Sequence, residues 1–117
     1  MEPITEPEID LFADTLPSMD EVKKLSEFIH SSELNRLTFA EQVEENVGKT
    51  SPRGALAVGI GLFILGRNAE AAQKLQKAKD CKEKFIYLAF ALRRMGQFDE
   101  AIDNLENSLN YEADTLI

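Results

Sequence analysis

The sequence predicts an all-α fold, with antiparallel helix pairs stacked in a superhelix and an N-terminal helical pair ahead of them. Three observations carry this. Apolar residues recur at spacings of three and four along successive segments, and no segment alternates with period two. Helix start and stop signals punctuate the chain at short intervals. Two stretches also align with each other, LGRNAEAAQKLQKA at 65–78 and MGQFDEAIDNLENS at 95–108. Each runs apolar-Gly, then Glu-Ala, then Leu four residues after that Ala, then a small residue three further on.

The 117 residues fit one domain with a modest core. With 44% hydrophobic and 29% charged residues, most of the chain is expected to fold. Residues 1–17 are expected to form an acidic flexible arm, with Pro3, Pro7 and Pro17 set among Ile9, Leu11, Phe12 and Leu16. Residues 18–51 are read as the N-terminal helical pair. Ser18 and Glu21 make a capping box, in which each side chain satisfies the other residue's backbone N–H. The helix they open carries Val22, Leu25, Phe28 and Ile29 on one stripe and closes at His30-Ser31-Ser32. Thr38 and Glu41 read as a second capping box opening a shorter helix, with Phe39, Ala40, Val43 and Val47 on one side and Gly48 as its C-cap.

Pro52 suits the first turn of the next helix, which runs to Leu65 and is apolar on nearly all sides. Its stretch Ala55–Gly66 is 12 residues, about 18 Å as a helix, against the ~30 Å of a bilayer's hydrocarbon. A buried core helix is expected, with no membrane insertion. After the turn at Gly66-Arg67-Asn68, a helix from Ala69 to about Lys79 turns Ala71, Ala72, Leu75 and Ala78 inward. The helix Lys82–Met95 presents Phe85, Leu88, Ala89 and Leu92 on one face. Gly96-Gln97 turns the chain again, and a helix from Phe98 to about Asn110 turns Ala101, Ile102, Leu105 and Leu109 inward.

The repeated unit over residues 52–117 resembles the tetratricopeptide repeat, whose pattern is W-x2-L-G-x2-Y…A-x3-F…P. In the first copy the pattern falls on Ala55, Val58, Gly59 and Leu62, then Ala71 and Leu75, with Ala78 as the next small residue. In the second it falls on Phe85, Leu88, Ala89 and Leu92, then Ala101 and Leu105, with Ser108 as the small residue. Two departures stand out. Gly66 and Gly96 are 30 residues apart rather than 34, so the first copy's second helix is expected to be about one turn short. Glu83 and Ala113 stand where the pattern has Pro. The pair at 18–48 lacks the Ala-x3-Phe signature and reads as a cap.

The resemblance implies that the first helix of each repeat lines a concave groove. It places Arg53, Leu56, Ile60, Phe63 and Ile64 there from the first copy, and Glu83, Ile86, Tyr87, Phe90, Arg93 and Arg94 from the second. Leu56, Ile60, Phe63, Ile64, Tyr87, Phe90, Arg93 and Arg94 are the expected partner-binding residues. An apolar peptide or helix would fill the groove, with Arg93 and Arg94 receiving a carboxylate bidentately. The alternative occupant lies within the chain: the helix at 18–31, or the arm anchored through Ile9, Phe12 and Leu16. The family's clamp for C-terminal carboxylates is not matched at the corresponding positions.

A non-enzymatic adaptor or scaffold is therefore expected, holding a protein or peptide partner. The same resemblance admits a small export chaperone of a bacterial secretion system, for which no residue here is diagnostic. It also admits a self-assembling structural protein. Ile102, Leu109 and Tyr111 should expect a covering helix, and Ala113–Ile117 reads like the start of one. That points either to a fragment of a longer array or to a face covered by another copy.

Charge divides the chain into residues 1–48 at -9, 49–94 at +7 and 95–117 at -6. The basic middle either meets an acidic partner or is matched by the chain's own acidic arm or last helix. The overall charge of -8 argues against nucleic-acid binding. One Cys, Cys81, allows no internal disulfide and fits a reducing, cytoplasmic setting, as does an N-terminus without a signal-peptide pattern. With one His and one Cys no zinc cluster is expected. There is no nucleophile–base spacing, P-loop or HExxH, so neither catalytic residues nor a cofactor are expected.

Overall fold

The computed structural model describes residues 10–12, 17–48 and 52–115, with side chains described for 54–110 in the last stretch. It is all-α. Six helices appear among the described residues, in the order α1 (Met19–His30), α2 (Glu33–Asn46), α3 (Pro52–Ile64), α4 (Asn68–Lys77), α5 (Lys82–Arg94) and α6 (Phe98–Thr115). Successive helices pack on one another, and α3 also touches α5. The short connections fold the chain back between neighbours, as in αα-hairpins.

Both glycine turns form as the sequence predicts, and they are built alike. Gly66 (φ 82°) and Gly96 (φ 79°) take the left-handed conformation that costs a side chain energy. The Arg67 N–H donates to the Leu62 carbonyl and Gly66 N–H to Phe63; Gln97 N–H donates to Leu92 and Gly96 N–H to Arg93. These are two Schellman closures in matching register. The first copy's second helix is the shorter, at 10 residues against 18 for α6.

The N-terminal pair differs from expectation in its second helix. Ser18 and Glu21 form the capping box at α1. Thr38, however, lies inside α2, which starts at Glu33 with Ser32 as N-cap. The Ser32 hydroxyl accepts from Asn35 N–H at 3.0 Å, and Asn35 Nδ2 donates back to the Phe28 carbonyl at 3.1 Å. That network joins the end of α1 to the start of α2. Asn rather than Glu or Gln stands three residues after Ser32, so the capping-box pattern does not reveal it. Gly48 is not the C-cap either. Val47 fills that position in a right-handed conformation, and Gly48 does not adopt a positive φ.

The core runs through all six helices, and its most enclosed side chains include Ile29, Val43, Val58, Ile60 and Leu75. The helix α3 is apolar all round because it is covered on opposite sides. A Cβ on Gly59 would lie 2.7 Å from Leu75 Cδ2 of α4, whereas one on Gly61 would lie 2.9 Å from Val43 Cγ2 of α2 and 3.4 Å from Leu11 Cδ2. Positions two apart on a helix point about 200° apart, so the two glycines admit α4 and α2 from opposite faces. Leu11, only 1% exposed, belongs to this core; the arm was expected to anchor through Ile9, Phe12 and Leu16 instead. Phe12 packs at the core's edge, while Ile9 and Leu16 lie outside the described residues.

Much of the basic middle is engaged within the chain. Arg67 holds Glu70 through two contacts (3.0 and 2.7 Å) and Glu44 of α2 at 2.8 Å, which raises its already high pKa. Lys74 Nζ donates to the Val47 carbonyl at 2.9 Å, closing the end of α2. Lys84, buried in α5, closes the end of α4 by donating to Ala78 O at 2.9 Å and Asp80 Oδ1 at 2.8 Å. Cations at helix C-termini meet unpaired carbonyls and the negative end of the helix dipole.

The last helix departs from expectation on one side. Ala101 and Ser108 are buried, but Ile102 (53%), Leu105 (41%) and Leu109 (67%) are exposed rather than inward. Only α5 packs on α6 among the described residues, so half of its apolar surface has no neighbour. Leu75, at the matching position of the first copy, is fully buried because α4 has α3 on one side and α5 on the other.

Candidate functional site

Where α3 and α5 lie side by side, three rings meet. Phe63 sits 5.9 Å from Tyr87 and 6.0 Å from Phe90, and Tyr87 and Phe90 are edge-on at 6.1 Å. Tyr87 and Phe90 are three residues apart, hence neighbours on one face of α5. They form part of the lining of an open hollow of about 660 Å³. Met19, Val22, Lys23 and Ser26 of α1 make the facing wall, Ile64 and Arg93 contribute from α3 and α5, and Phe98 lies at the α6 end. The volume is within the ~300–1,000 Å³ usual for ligand clefts.

The position of α1 is fixed at its far end. His30 Nε2 donates to the Ile64 carbonyl at 2.7 Å, tying the last residue of α1 to the last residue of α3. The helix therefore stands beside the aromatic cluster as a wall and leaves the hollow open.

The two arginines play different parts. The Arg94 guanidinium lies 4.1 Å from the centre of the Phe63 ring and Nη1 donates to the Phe63 carbonyl at 3.4 Å. It braces α5 against α3 and does not form a carboxylate fork with its neighbour. Arg93 is exposed and has no ion pair among the described residues. Asp20 and Glu27 of α1 add negative charge to the rim opposite. Burial, reinforced by the negative charge of Glu83, pushes the Tyr87 hydroxyl up to about 12. Tyr87 is thus a neutral hydrogen-bonding group at any ordinary pH.

Of the residues expected to face a partner, Phe63, Ile64, Tyr87, Phe90, Arg93 and Arg94 converge on the hollow. Leu56 (7% exposed) and Ile60 (0%) do not, since α2, α4 and α5 all pack on α3 and enclose them. Glu83 and Ile86 are half-buried away from the lining, and the Arg53 side chain lies outside those described. Tyr111 falls within α6, but its side chain also lies outside those described. Met19, Lys23 and Phe98 line the hollow without having been singled out. Met19 and Lys23 are four apart on α1, a spacing that reads equally well as an ordinary solvated face.

Cys81 is half-buried at the N-cap of α5, and burial pushes its thiol up, away from the thiolate a nucleophile needs. No group of three or more His, Cys, Asp or Glu side chains among the described residues could hold a metal ion. Among the same residues no helix is long and apolar enough to cross a membrane. No family model, curated protein or solved structure matches this chain.

Proposed function

We propose that this chain is a protein–protein interaction module rather than an enzyme. It is read as a tetratricopeptide-like scaffold that takes a peptide or helix of a partner in the hollow beside α5. The observation that carries this reading is the open aromatic cleft of Phe63, Tyr87 and Phe90, bordered by an unpaired Arg93. Large aromatic side chains beside an arginine are the composition of binding hot spots. An apolar anchor of the partner would rest on the rings, and a carboxylate on the same segment would meet Arg93. The repeat reading rests on the matched Schellman turns, the tight crossing of Gly59 and Leu75, and the α3–α5 contact between first helices. A lone half-buried thiol suits a reducing, cytoplasmic setting.

The test is photocrosslinking from position 90, with Phe90 replaced by a photoreactive phenylalanine analogue in native cell extract. The expected product joins this chain to one foreign protein, and Arg93→Glu abolishes it. A product of two copies of this chain, or links only to residues 1–31, would overturn the reading.

A further inference from the structure

The outer face of α6 is a second surface, distinct in chemistry from the hollow. Phe98, Ile102, Leu105 and Leu109 are 61%, 53%, 41% and 67% exposed and fall at spacings of four, three and four. They form one stripe about 16 Å long, the length of three helical turns. Four large apolar side chains in line exceed the scattered apolar residues of an ordinary surface. An acid directly follows each of the first three, namely Asp99, Asp103 and Glu106, and all three are exposed. No base occurs anywhere in Phe98–Thr115, against six acids.

That charge selects among occupants. Two copies meeting α6 to α6 would set acid against acid along the full stripe. A head-to-tail stack would bring α6 against the opposite end of the molecule, where the exposed apolar residues are Leu34 and Leu37 of α2. The helix α2 carries Glu33, Glu41, Glu44 and Glu45 against one base, Arg36, so that contact is repulsive too. We infer that the α6 stripe docks a basic amphipathic helix of another protein, with apolar residues at i, i+4 and i+7 and Lys or Arg along one flank. Its apolar teeth cover Ile102, Leu105 and Leu109, and its cations meet Asp99, Asp103 and Glu106. This surface does not depend on what the hollow binds.

A displayed library of helices tests this, with Leu fixed at helical spacing and flanking positions varied among Lys, Glu, Gln and Ala. It is selected on the whole chain and counter-selected on the double variant Ile102→Asp, Leu109→Asp. Both sites are exposed, and circular dichroism checks that the variant folds. The expected winners are Lys-rich on one flank and bind the variant at least ten-fold more weakly. They weaken as salt rises, and they are unaffected by Phe90→Ala. The charge-reversed chain Asp103→Lys, Glu106→Lys should select Glu-rich helices instead. Neutral or acidic winners on the wild-type chain would overturn the inference. So would a failure to enrich any helix that discriminates against the variant, or a wild-type dimer in sedimentation that the variant splits.

Discussion

His30 and Ile64 close α1 onto α3 through one hydrogen bond, Nε2 to carbonyl oxygen at 2.7 Å. The bond ends both helices at the same place, and with it the far wall of the aromatic hollow is fixed. With the carbonyl as acceptor, Nε2 must carry the proton. We expect His30→Ala to cost about 1 kcal/mol in urea unfolding, the usual net worth of a part-buried hydrogen bond. Hydrogen exchange in α1 should rise more than in α5. An unchanged exchange rate in α1 would mean that Val22, Leu25 and Ile29 hold the wall unaided.

The two glycine classes should fail for different reasons. A Cβ at Gly59 meets Leu75 Cγ and Cδ2 at 2.7 Å, and Leu75 has no free space to turn into. Gly59→Ala should therefore cost roughly 1–3 kcal/mol through overpacking. Gly66→Ala meets nothing within 4 Å but must hold φ near 82°, so about 1 kcal/mol of backbone strain is expected. Denaturant midpoints of the two variants separate the cases. A harmless Gly59→Ala would show that α4 can pivot off α3.

Neighbouring arginines should divide binding from stability. Arg93→Ala should leave stability within about 0.5 kcal/mol, since the side chain is exposed and unpaired. Arg94→Ala should cost about 0.5–1 kcal/mol, because its guanidinium stacks on Phe63. Partner capture in the crosslinking assay should fall at least ten-fold with Arg93→Glu. Equal losses of stability in both variants would show that Arg93 braces the fold as well.

Alkaline unfolding should carry a signature of Tyr87. Its folded pKa is about 12 against an ordinary 10.0, so between those values the unfolded chain releases the proton and the folded chain keeps it. Fewer protons on the unfolded state make stability fall as pH rises through that window, with the contribution levelling off above it. Tyr87→Phe should remove this part of the slope. Unfolding followed by circular dichroism from pH 9 upward, compared between the two chains, measures it.

Local signals in the sequence reach the helices well, because capping and periodicity act over a few residues. The box at Ser18 and Glu21, the turns at Gly66 and Gly96 and the stripe Val22–Leu25–Ile29 all need only their neighbours. The start of α2 escapes that logic. Ser32 caps it with the help of Asn35, whose amide reaches Phe28 of the previous helix, so the boundary belongs to a pair of helices.

The sequence by itself determined an all-α chain, its two like turns, and which helix would be enclosed. Those features follow from short-range spacing and from the high apolar content of α3. Only the tertiary structure decided which of its residues face outward. Ile60 and Phe63 stand on the same helix three residues apart, yet Ile60 is sealed and Phe63 opens onto the hollow. Lys84 and Arg93 carry the same charge on α5, yet Lys84 closes the end of α4 while Arg93 meets solvent. Such choices depend on which helices pack against a given face. That is set by contacts between residues far apart in the chain, which no local spacing encodes.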